Sequence, residues 1–199
     1  MNGIIIINKP AGLTSQQVVS KVKKILNIKK AGHTGTLDPL TTGVLPILLN
    51  DCTKVSKYLI EHDKKYIAKI KFGEKRDTGD LEGKIIETSD KKIENEDEVR
   101  KVLESFIGKQ MQTPPKYSAI KINGKKLYEY ARNNEEIAIP KREIEIYKLE
   151  MLEFDVINQI MKIEIHCSKG TYIRTLCEDI SEKLETVRIY VFFKKNRSR

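Results

Sequence analysis

The chain has 199 residues, of which 39% are hydrophobic and 33% are charged. This composition is typical of a folded globular protein and excludes the disordered class, and the length allows one sizeable hydrophobic core. The formal net charge of +9 favours an anionic partner such as nucleic acid over an acidic protein surface.

The sequence gives no sign of export or of a membrane anchor. Residues 1–9 lack a basic leader and a cleavage site, and no apolar run approaches the ~18 residues of a membrane span. Cys52, Cys167 and Cys177 are odd in number and have no CxxC spacing, so neither a disulfide framework nor a zinc site is indicated. We therefore expect a cytoplasmic protein with reduced, mostly buried thiols.

The first part of the chain opens as strand, turn and helix. A β-branched run at 3–8 predicts the strand, and residues 9–12 predict the turn. Thr14 and Gln17 make a capping box, which predicts a helix that continues to about Leu26. After the glycine-rich residues 32–43, the pattern predicts a buried strand at 44–49, a short helix at 54–60 and a half-exposed strand at 66–72.

The second part continues with mixed elements. The pattern predicts a polar turn region at 74–83, a partner strand at 84–88 and a helix at 96–107 that Gly108 stops. A strand at 117–122, a turn at Asn123-Gly124 and a short helix within 126–132 are predicted next. Paired strands at 143–156 and 160–167 and a helix at 171–184 follow. The strands alternate as antiparallel strands do, and there is no strict βαβ rhythm. The class is therefore α+β, with a mixed, mainly antiparallel sheet flanked by helices.

The candidate site is the loop GHTGTLDPLTTG at residues 32–43. It lacks the Gly-Lys-Ser/Thr ending of a phosphate-binding P-loop, which disfavours nucleoside triphosphate chemistry. Pro39 restricts Asp38 to an extended conformation, so the Asp38 carboxylate is held on a rigid segment. Such a carboxylate is a candidate nucleophile, and the alternative is that it caps the following turn.

This loop carries a resemblance to a known family. AGHTGTLDP (31–39) with TGVLP (42–46) resembles the signature of the TruB pseudouridine synthases. Four further segments agree in family order: NKPAGLTS (8–15), Lys65-Tyr66 with DTGD (77–80), PPKYSA (114–119) through LYEYAR (127–132), and CSKGTYIRTL (167–176). The resemblance covers about residues 3–184 and implies the pseudouridine synthase catalytic fold.

The resemblance implies a role for each matching residue. Asp38 would be the nucleophile, Arg174 would pair with it and keep it ionised, and Tyr66 would stack on the target base, with Tyr172 lining the same pocket. The alternative for Tyr66 is an ordinary core residue of its strand, and Arg174, at a helix start, would by itself suggest a phosphate clamp.

Three further residues complete the implied site. His33 would help to hold the extruded nucleotide, although a lone histidine often only satisfies a loop carbonyl. Lys9 and Pro10 would buttress the pocket without reacting.

The implied reaction is isomerisation of one uridine, at position 55 in the T arm of tRNA, to pseudouridine. It needs no cofactor and no metal, and Asp38 attacks the sugar C1′ or acts in a glycal route. Lysines within 21–30, 64–65 and 121–126 would follow RNA phosphates. The expected partner is the T stem-loop of tRNA. We expect the protein to bind it as a monomer and not to associate with a membrane. The alternatives are a non-catalytic tRNA-binding or folding protein with the same fold, an impaired synthase, and a synthase that acts on guide-directed or other RNAs.

Residues 188–199, RIYVFFKKNRSR, depart from the family pattern. One back-translation of this segment, read one base later, gives GYMSFLKRTEV, which is the segment that the family has here. We therefore expect a catalytic domain at 1–187, a frameshifted tail at 188–199 and no C-terminal RNA-binding domain. The tail is apolar and β-prone, so we expect it to be disordered or to promote aggregation where a helix should pack, and to lower stability.

Overall fold

A computed structural model describes residues 1–76, 84–118 and 120–198, of which residues 188–194 and 196–198 are described by their backbone alone. The strands are β1 (Gly3–Lys9), β2 (Ala31–His33), β3 (Thr42–Leu49), β4 (Lys64–Phe72), β5 (Glu74–Arg76), β6 (Ile85–Thr88), β7 (Gly108–Gln112), β8 (Lys121–Ile122), β9 (Lys125–Lys126), β10 (Arg142–Asp155), β11 (Ile160–Cys167) and β12 (Arg188–Ser198). The helices are α1 (Ser15–Ile25), α2 (Ser56–Ile60), α3 (Glu96–Glu104), α4 (Leu127–Arg132) and α5 (Ile173–Lys183), with a 3-10 helix at Asn50–Val55.

The main sheet runs in the order β1-β3-β12-β4-β11-β10-β7, and β2 pairs with β3. Its pairings are antiparallel except for the parallel contact between β3 and β12. The strands β5 and β6 form a separate small sheet, as do β8 and β9. Together with the helices, this arrangement confirms the α+β prediction and its mainly antiparallel sheet.

The core lies on one face of the main sheet. Alternate residues of β4 and β11 are buried, as a half-exposed strand requires, and helices α3 and α5 contribute Val99, Leu103, Leu176 and Ile180 to the same cluster. Burying one such aliphatic side chain contributes about 1.5–3 kcal/mol. Tyr66 lies on the buried face of β4 and is part of this core.

Local signals predicted several elements well. Both hydrogen bonds of the Thr14 and Gln17 capping box are present at the start of α1. Cys167 and Cys177 are buried and Cys52 is half-buried, which confirms the prediction that the thiols are mostly buried. Among the described residues, no helix combines the length and the apolar character needed to cross a bilayer.

Other boundaries were wrong. Helix α3 ends at Glu104, and Gly108 begins the edge strand β7, where its φ of 107° suits glycine. The predicted strand at 117–122 is reduced to β8, because residues 116–118, which follow the Pro114-Pro115 pair, have irregular backbone. The partner strand expected at 84–88 is β6, and it pairs with β5. The turn predicted at 74–83 and the DTGD segment lie largely outside the described residues.

The expectation for the tail was wrong in one respect. Residues of β12 pair with β4 along its length and with β3 at Thr42 and Gly43, so this segment is a sheet strand and not a disordered replacement for a helix. Its β-branched and aromatic composition suits a strand. Lys195 of this strand is almost fully buried. Aggregation and the frameshift itself remain predictions.

Candidate active site

The backbone around Asp38 is held from both sides by the last residue of β1 and by the segment that follows this strand. The Ser15 hydroxyl accepts a hydrogen bond from the Leu37 N–H (2.8 Å) and donates one to the Leu37 carbonyl (3.1 Å). On the other side, the Pro39 carbonyl accepts from the Lys9 ammonium and from the Gly12 N–H, each at 2.9 Å. Asp38 therefore lies on a fixed loop, and its side chain is about one-third exposed.

Lys9 supports this loop from the interior. Its side chain is completely buried, and its ammonium also donates to the Pro10 carbonyl at 2.8 Å. Burial lowers the pKa of Lys9, and the negative charge of Asp38 opposes that shift. Lys9 thus lies behind the site with its donors committed to backbone carbonyls, and Pro10 supplies one of those acceptors.

Arg174 reaches Asp38 from the second position of α5. Its Nε lies 3.1 Å from Asp38 Oδ2, and its Nη2 donates to the Tyr117 carbonyl at 3.1 Å. The Arg174 side chain is only 16% exposed, so this ion pair is shielded from solvent more than a surface pair is. The second contact fixes the guanidinium against the segment that follows β7.

Tyr66 and Tyr172 stand near this ion pair. Tyr66 is 9% exposed, and burial raises the pKa of its phenol well above the ordinary value. Burial also raises the pKa of Tyr172, while Ser118, Arg142 and Arg174 oppose the shift. Both phenols are therefore neutral at physiological pH.

A buried amide clamps the backbone at the start of α5. The Gln112 side chain accepts from the Tyr172 N–H at 2.8 Å and donates to the Tyr172 carbonyl at 3.1 Å. Gln112 is 4% exposed, and it lies at the end of β7. Because Tyr172 immediately precedes α5, the clamp also sets the position of Arg174.

These side chains share one cavity of about 450 Å³. Its lining includes Asp38, Tyr66, Tyr172 and Arg174, together with Thr34, Gly35, Thr36, Ile60, Lys64, Tyr117, Ser118, Tyr128, Lys169, Gly170, Thr171 and Ile173. The volume lies within the range of roughly 300–1,000 Å³ that ligand sites usually have. The structure therefore brings four of the predicted site residues to one concave place.

His33 lies at the end of β2, beside the loop, and is not among the residues that line the cavity. Its Nδ1 is buried and has no hydrogen-bond partner among the described residues. Burial lowers the pKa of His33; a hydrogen bond with the backbone of Gly35 opposes that shift, and the positive charge of Lys195 adds to it. His33 is thus held in its neutral form next to the cavity wall.

Several residues of this site were missed or misread in the sequence. Ser118 lies in the PPKYSA segment and Gln112 lies just before it, but nothing in their local pattern indicates a long-range contact. Lys64 was expected to follow RNA phosphates. It is instead buried, and its ammonium bonds the carbonyls of Ile60 and His62, so that prediction was wrong for this lysine.

A comparison with protein families identifies the class. Residues 23–173 match the family described as TruB family pseudouridylate synthase (N terminal domain). The match includes the loop of Asp38, the strand of Tyr66 and the Tyr172 position. The chain belongs to the TruB family of pseudouridylate synthases.

Curated relatives carry a more specific name. A protein named tRNA pseudouridine synthase B from Caldanaerobacter subterraneus subsp. tengcongensis is 46% identical over 185 residues, which are 93% of this chain and 65% of that relative. A protein of the same name from Alkaliphilus oremlandii is 50% identical over 184 residues, which are 92% of this chain and 60% of the relative. The chain thus spans 60% to 65% of the length of these two curated relatives.

Solved structures share the fold. A chain in the crystal structure of a Cbf5-Nop10-Gar1 complex superposes with a TM-score of 0.76 and 31% identity over 98% of this chain and 48% of its own length. A chain in the structure of an H/ACA RNP bound to a substrate RNA containing 2'-deoxyuridine gives a TM-score of 0.71 and 28% identity, with 98% of this chain and 47% of the other covered. These likenesses agree with the predicted pseudouridine synthase fold.

Proposed function

We propose that this chain is the catalytic part of a tRNA pseudouridine synthase that isomerises uridine 55 in the T arm, with Asp38 as the nucleophile. The observation that carries the proposal is the contact of 3.1 Å between Arg174 Nε and Asp38 Oδ2 inside a cavity also lined by Tyr66 and Tyr172. Membership of the TruB family and relatives named tRNA pseudouridine synthase B support the same reaction.

The arrangement suits the chemistry of the isomerisation. The N1–C1′ bond of uridine breaks, the base turns and a C5–C1′ bond forms, while the proton lost from C5 is balanced by one gained at N1. No electrons leave the nucleoside, so a carboxylate can serve without a redox group. Asp38 attacks C1′ or acts on the sugar in a glycal route. Arg174 holds the carboxylate in position through Asp38 Oδ2.

The cavity also suits a base taken out of its helix. Extruding a base costs a few kcal/mol, and stacking on an aromatic ring returns roughly 1–3 kcal/mol per base. Tyr66 presents such a ring on the rigid strand β4, and the net charge of +9 favours approach of the RNA backbone. We assign the T stem-loop of tRNA as the partner, bound by a monomer in the cytoplasm, with His33 helping to hold the extruded nucleotide.

The test is formation of pseudouridine in an unmodified tRNA transcript. The chain is assayed as it stands and with residues 188–198 replaced by GYMSFLKRTEV, so that a defect of the tail is separated from a defect of the site. Asp38→Asn should abolish the product and leave RNA binding within about a factor of three, because the shape of the side chain is kept. Asp90→Asn is the matched control, since it removes an exposed carboxylate away from the cavity.

Two outcomes would contradict the proposal. Product formation by Asp38→Asn at the wild-type rate would remove Asp38 from its role. Tight tRNA binding without any product, for both versions of the tail, would instead support the alternative of a non-catalytic tRNA-binding protein.

A further inference from the structure

Lys169 is an exposed cation at the cavity. Among the described residues, Lys64, Lys169 and Arg174 supply the cationic side chains of the cavity lining. The Lys64 ammonium bonds two backbone carbonyls, and the Arg174 guanidinium contacts Asp38. The Lys169 ammonium instead pairs with the Glu61 carboxylate, and these two side chains are 51% and 60% exposed. An anion that approaches the cavity from solvent therefore has access to Lys169.

The backbone that carries Lys169 is fixed. Lys169 lies in the turn between β11 and α5, and Ser168 anchors this turn to β10. The Ser168 N–H donates to the Glu145 carbonyl at 2.8 Å, and the Ser168 hydroxyl accepts from the Glu145 N–H at 2.9 Å. The Thr171 hydroxyl closes the turn by donating to the Ser168 carbonyl at 3.0 Å. The Lys169 side chain can therefore change its partner while its backbone stays in place.

The other half of the ion pair also lies on a fixed backbone. Glu61 directly follows α2, and the Lys64 ammonium donates to the carbonyls of Ile60 and His62 on either side of it. An exposed ion pair contributes little to stability, because water competes for both charges. Since both turns keep their own anchors, breaking the contact between Glu61 and Lys169 costs the fold little.

A nucleotide in the cavity brings a stronger partner for Lys169. If the sugar of the target nucleotide lies beside Asp38, a phosphate group follows on each side of that sugar. These phosphates join the target to the neighbouring nucleotides, so they lie towards the cavity mouth and not at its base. A lysine ammonium binds phosphate as a point charge, and this contact also releases counterions from the RNA.

We propose that Lys169 binds a phosphate that flanks the target nucleotide, and that Glu61 holds the Lys169 ammonium until the RNA arrives. This inference rests on the proposed function. It requires the two members of one ion pair to act in opposite directions on RNA binding, because Lys169 binds the phosphate and Glu61 competes with it. An ion pair that only joined the two turns would give the same direction for both.

The first test measures the affinity for a T stem-loop RNA in an Asp38→Asn background, where no product forms. Lys169→Met should weaken binding about fivefold to tenfold and reduce the slope of log affinity against log salt concentration by about 0.7–0.9. Glu61→Gln should tighten binding about threefold, because the competing carboxylate is lost. With Asp38 restored, Lys169→Met should raise KM and keep kcat, because the phosphate contact is present before and during the reaction.

A second ion pair provides matched controls. Lys91 and Glu185 are 2.8 Å apart, join distant segments as the pair at the cavity does, and lie outside the cavity lining. Lys91→Met and Glu185→Gln change the net charge by the same amounts as Lys169→Met and Glu61→Gln. Both controls should leave the affinity and the salt slope unchanged.

The second test identifies the phosphate. Two RNAs carry a neutral methylphosphonate in place of the phosphate on the 5′ side or on the 3′ side of the target nucleotide. With Lys169 present, one of the two RNAs should bind about fivefold to tenfold more weakly, and Lys169→Met should show no further loss on that same RNA.

The outcomes separate this inference from the proposed function. Weaker binding by both Lys169→Met and Glu61→Gln would overturn the inference, and so would a loss with Lys169→Met that adds in full to the loss from each methylphosphonate. An active wild type whose affinity neither variant changes would overturn the role of Lys169 alone. A wild-type chain that binds the RNA but forms no pseudouridine with either version of the tail would overturn the proposed function.

Discussion

The amide clamp between Gln112 and Tyr172 makes a prediction that can be worked out from two distances. The Gln112 amide oxygen accepts from the Tyr172 N–H at 2.8 Å, and the Gln112 amide nitrogen donates to the Tyr172 carbonyl at 3.1 Å. The Gln112 side chain is buried. Gln112→Leu removes both bonds, which leaves the Tyr172 N–H unpaired and leaves the Tyr172 carbonyl with the Leu176 N–H, at 3.0 Å, as its remaining donor. The unpaired N–H costs roughly 1–3 kcal/mol and the lost bond to the carbonyl about 0.5–1.5 kcal/mol, so we expect a loss of about 1.5–4.5 kcal/mol in the free energy of unfolding.

Gln112→Glu gives the sharper test. The new carboxylate still accepts from the Tyr172 N–H, but it has no proton to donate to the Tyr172 carbonyl and places its negative charge against that oxygen. The protonated acid can make both bonds. The folded state therefore favours the protonated form and raises the pKa of the new group above its unfolded value of about 4.3. Its stability relative to the wild type should be highest at and below that pH and fall as the pH rises through the folded-state pKa.

The assay is urea unfolding of the wild type and both variants between about pH 4.5 and 8, where the new carboxyl titrates. Gln16→Glu adds the same charge at an exposed position and should follow the wild type throughout. Because α5 carries Arg174, we also expect kcat of Gln112→Glu to fall as the pH rises. The reasoning is refuted if Gln112→Leu stays within about 0.5 kcal/mol of the wild type, or if the difference for Gln112→Glu does not depend on pH.

Three further predictions concern the neighbourhood of the loop. Gly43→Ala should cost roughly 2–5 kcal/mol in urea unfolding, because φ is 107° and the added Cβ would lie 2.3 Å from the Lys195 carbonyl oxygen; a neutral result would place β12 elsewhere. Burial lowers the pKa of His33, so the folded state resists its protonation, and the free energy of unfolding should fall as the pH drops below about 6.5. His33→Asn should make this fall smaller. His62→Asn, at an exposed position, is the control and should show the same fall as the wild type. Replacing residues 188–198 by GYMSFLKRTEV should raise the unfolding midpoint in a thermal scan, and equal midpoints would count against a frameshifted tail.

The sequence by itself determined the elements whose signals are local. The capping box of Thr14 and Gln17 acts within one turn of helix, and the alternation along β4 and β11 reports one buried and one open face. The loop around Asp38 was also recognisable, because its glycines, hydroxyls and Asp-Pro pair lie within 12 consecutive residues. Short-range physics of this kind needs no knowledge of the partner.

Only the tertiary structure decided which distant groups meet. The register of β12 between β3 and β4 buries Lys195, and neither fact is written in the tail itself. Likewise, the Gln112 amide finds Tyr172 across the fold. These contacts depend on strand order and on the direction in which helix α5 leaves the sheet. They are long-range pairings, whose energy arises only when the chain has closed on itself.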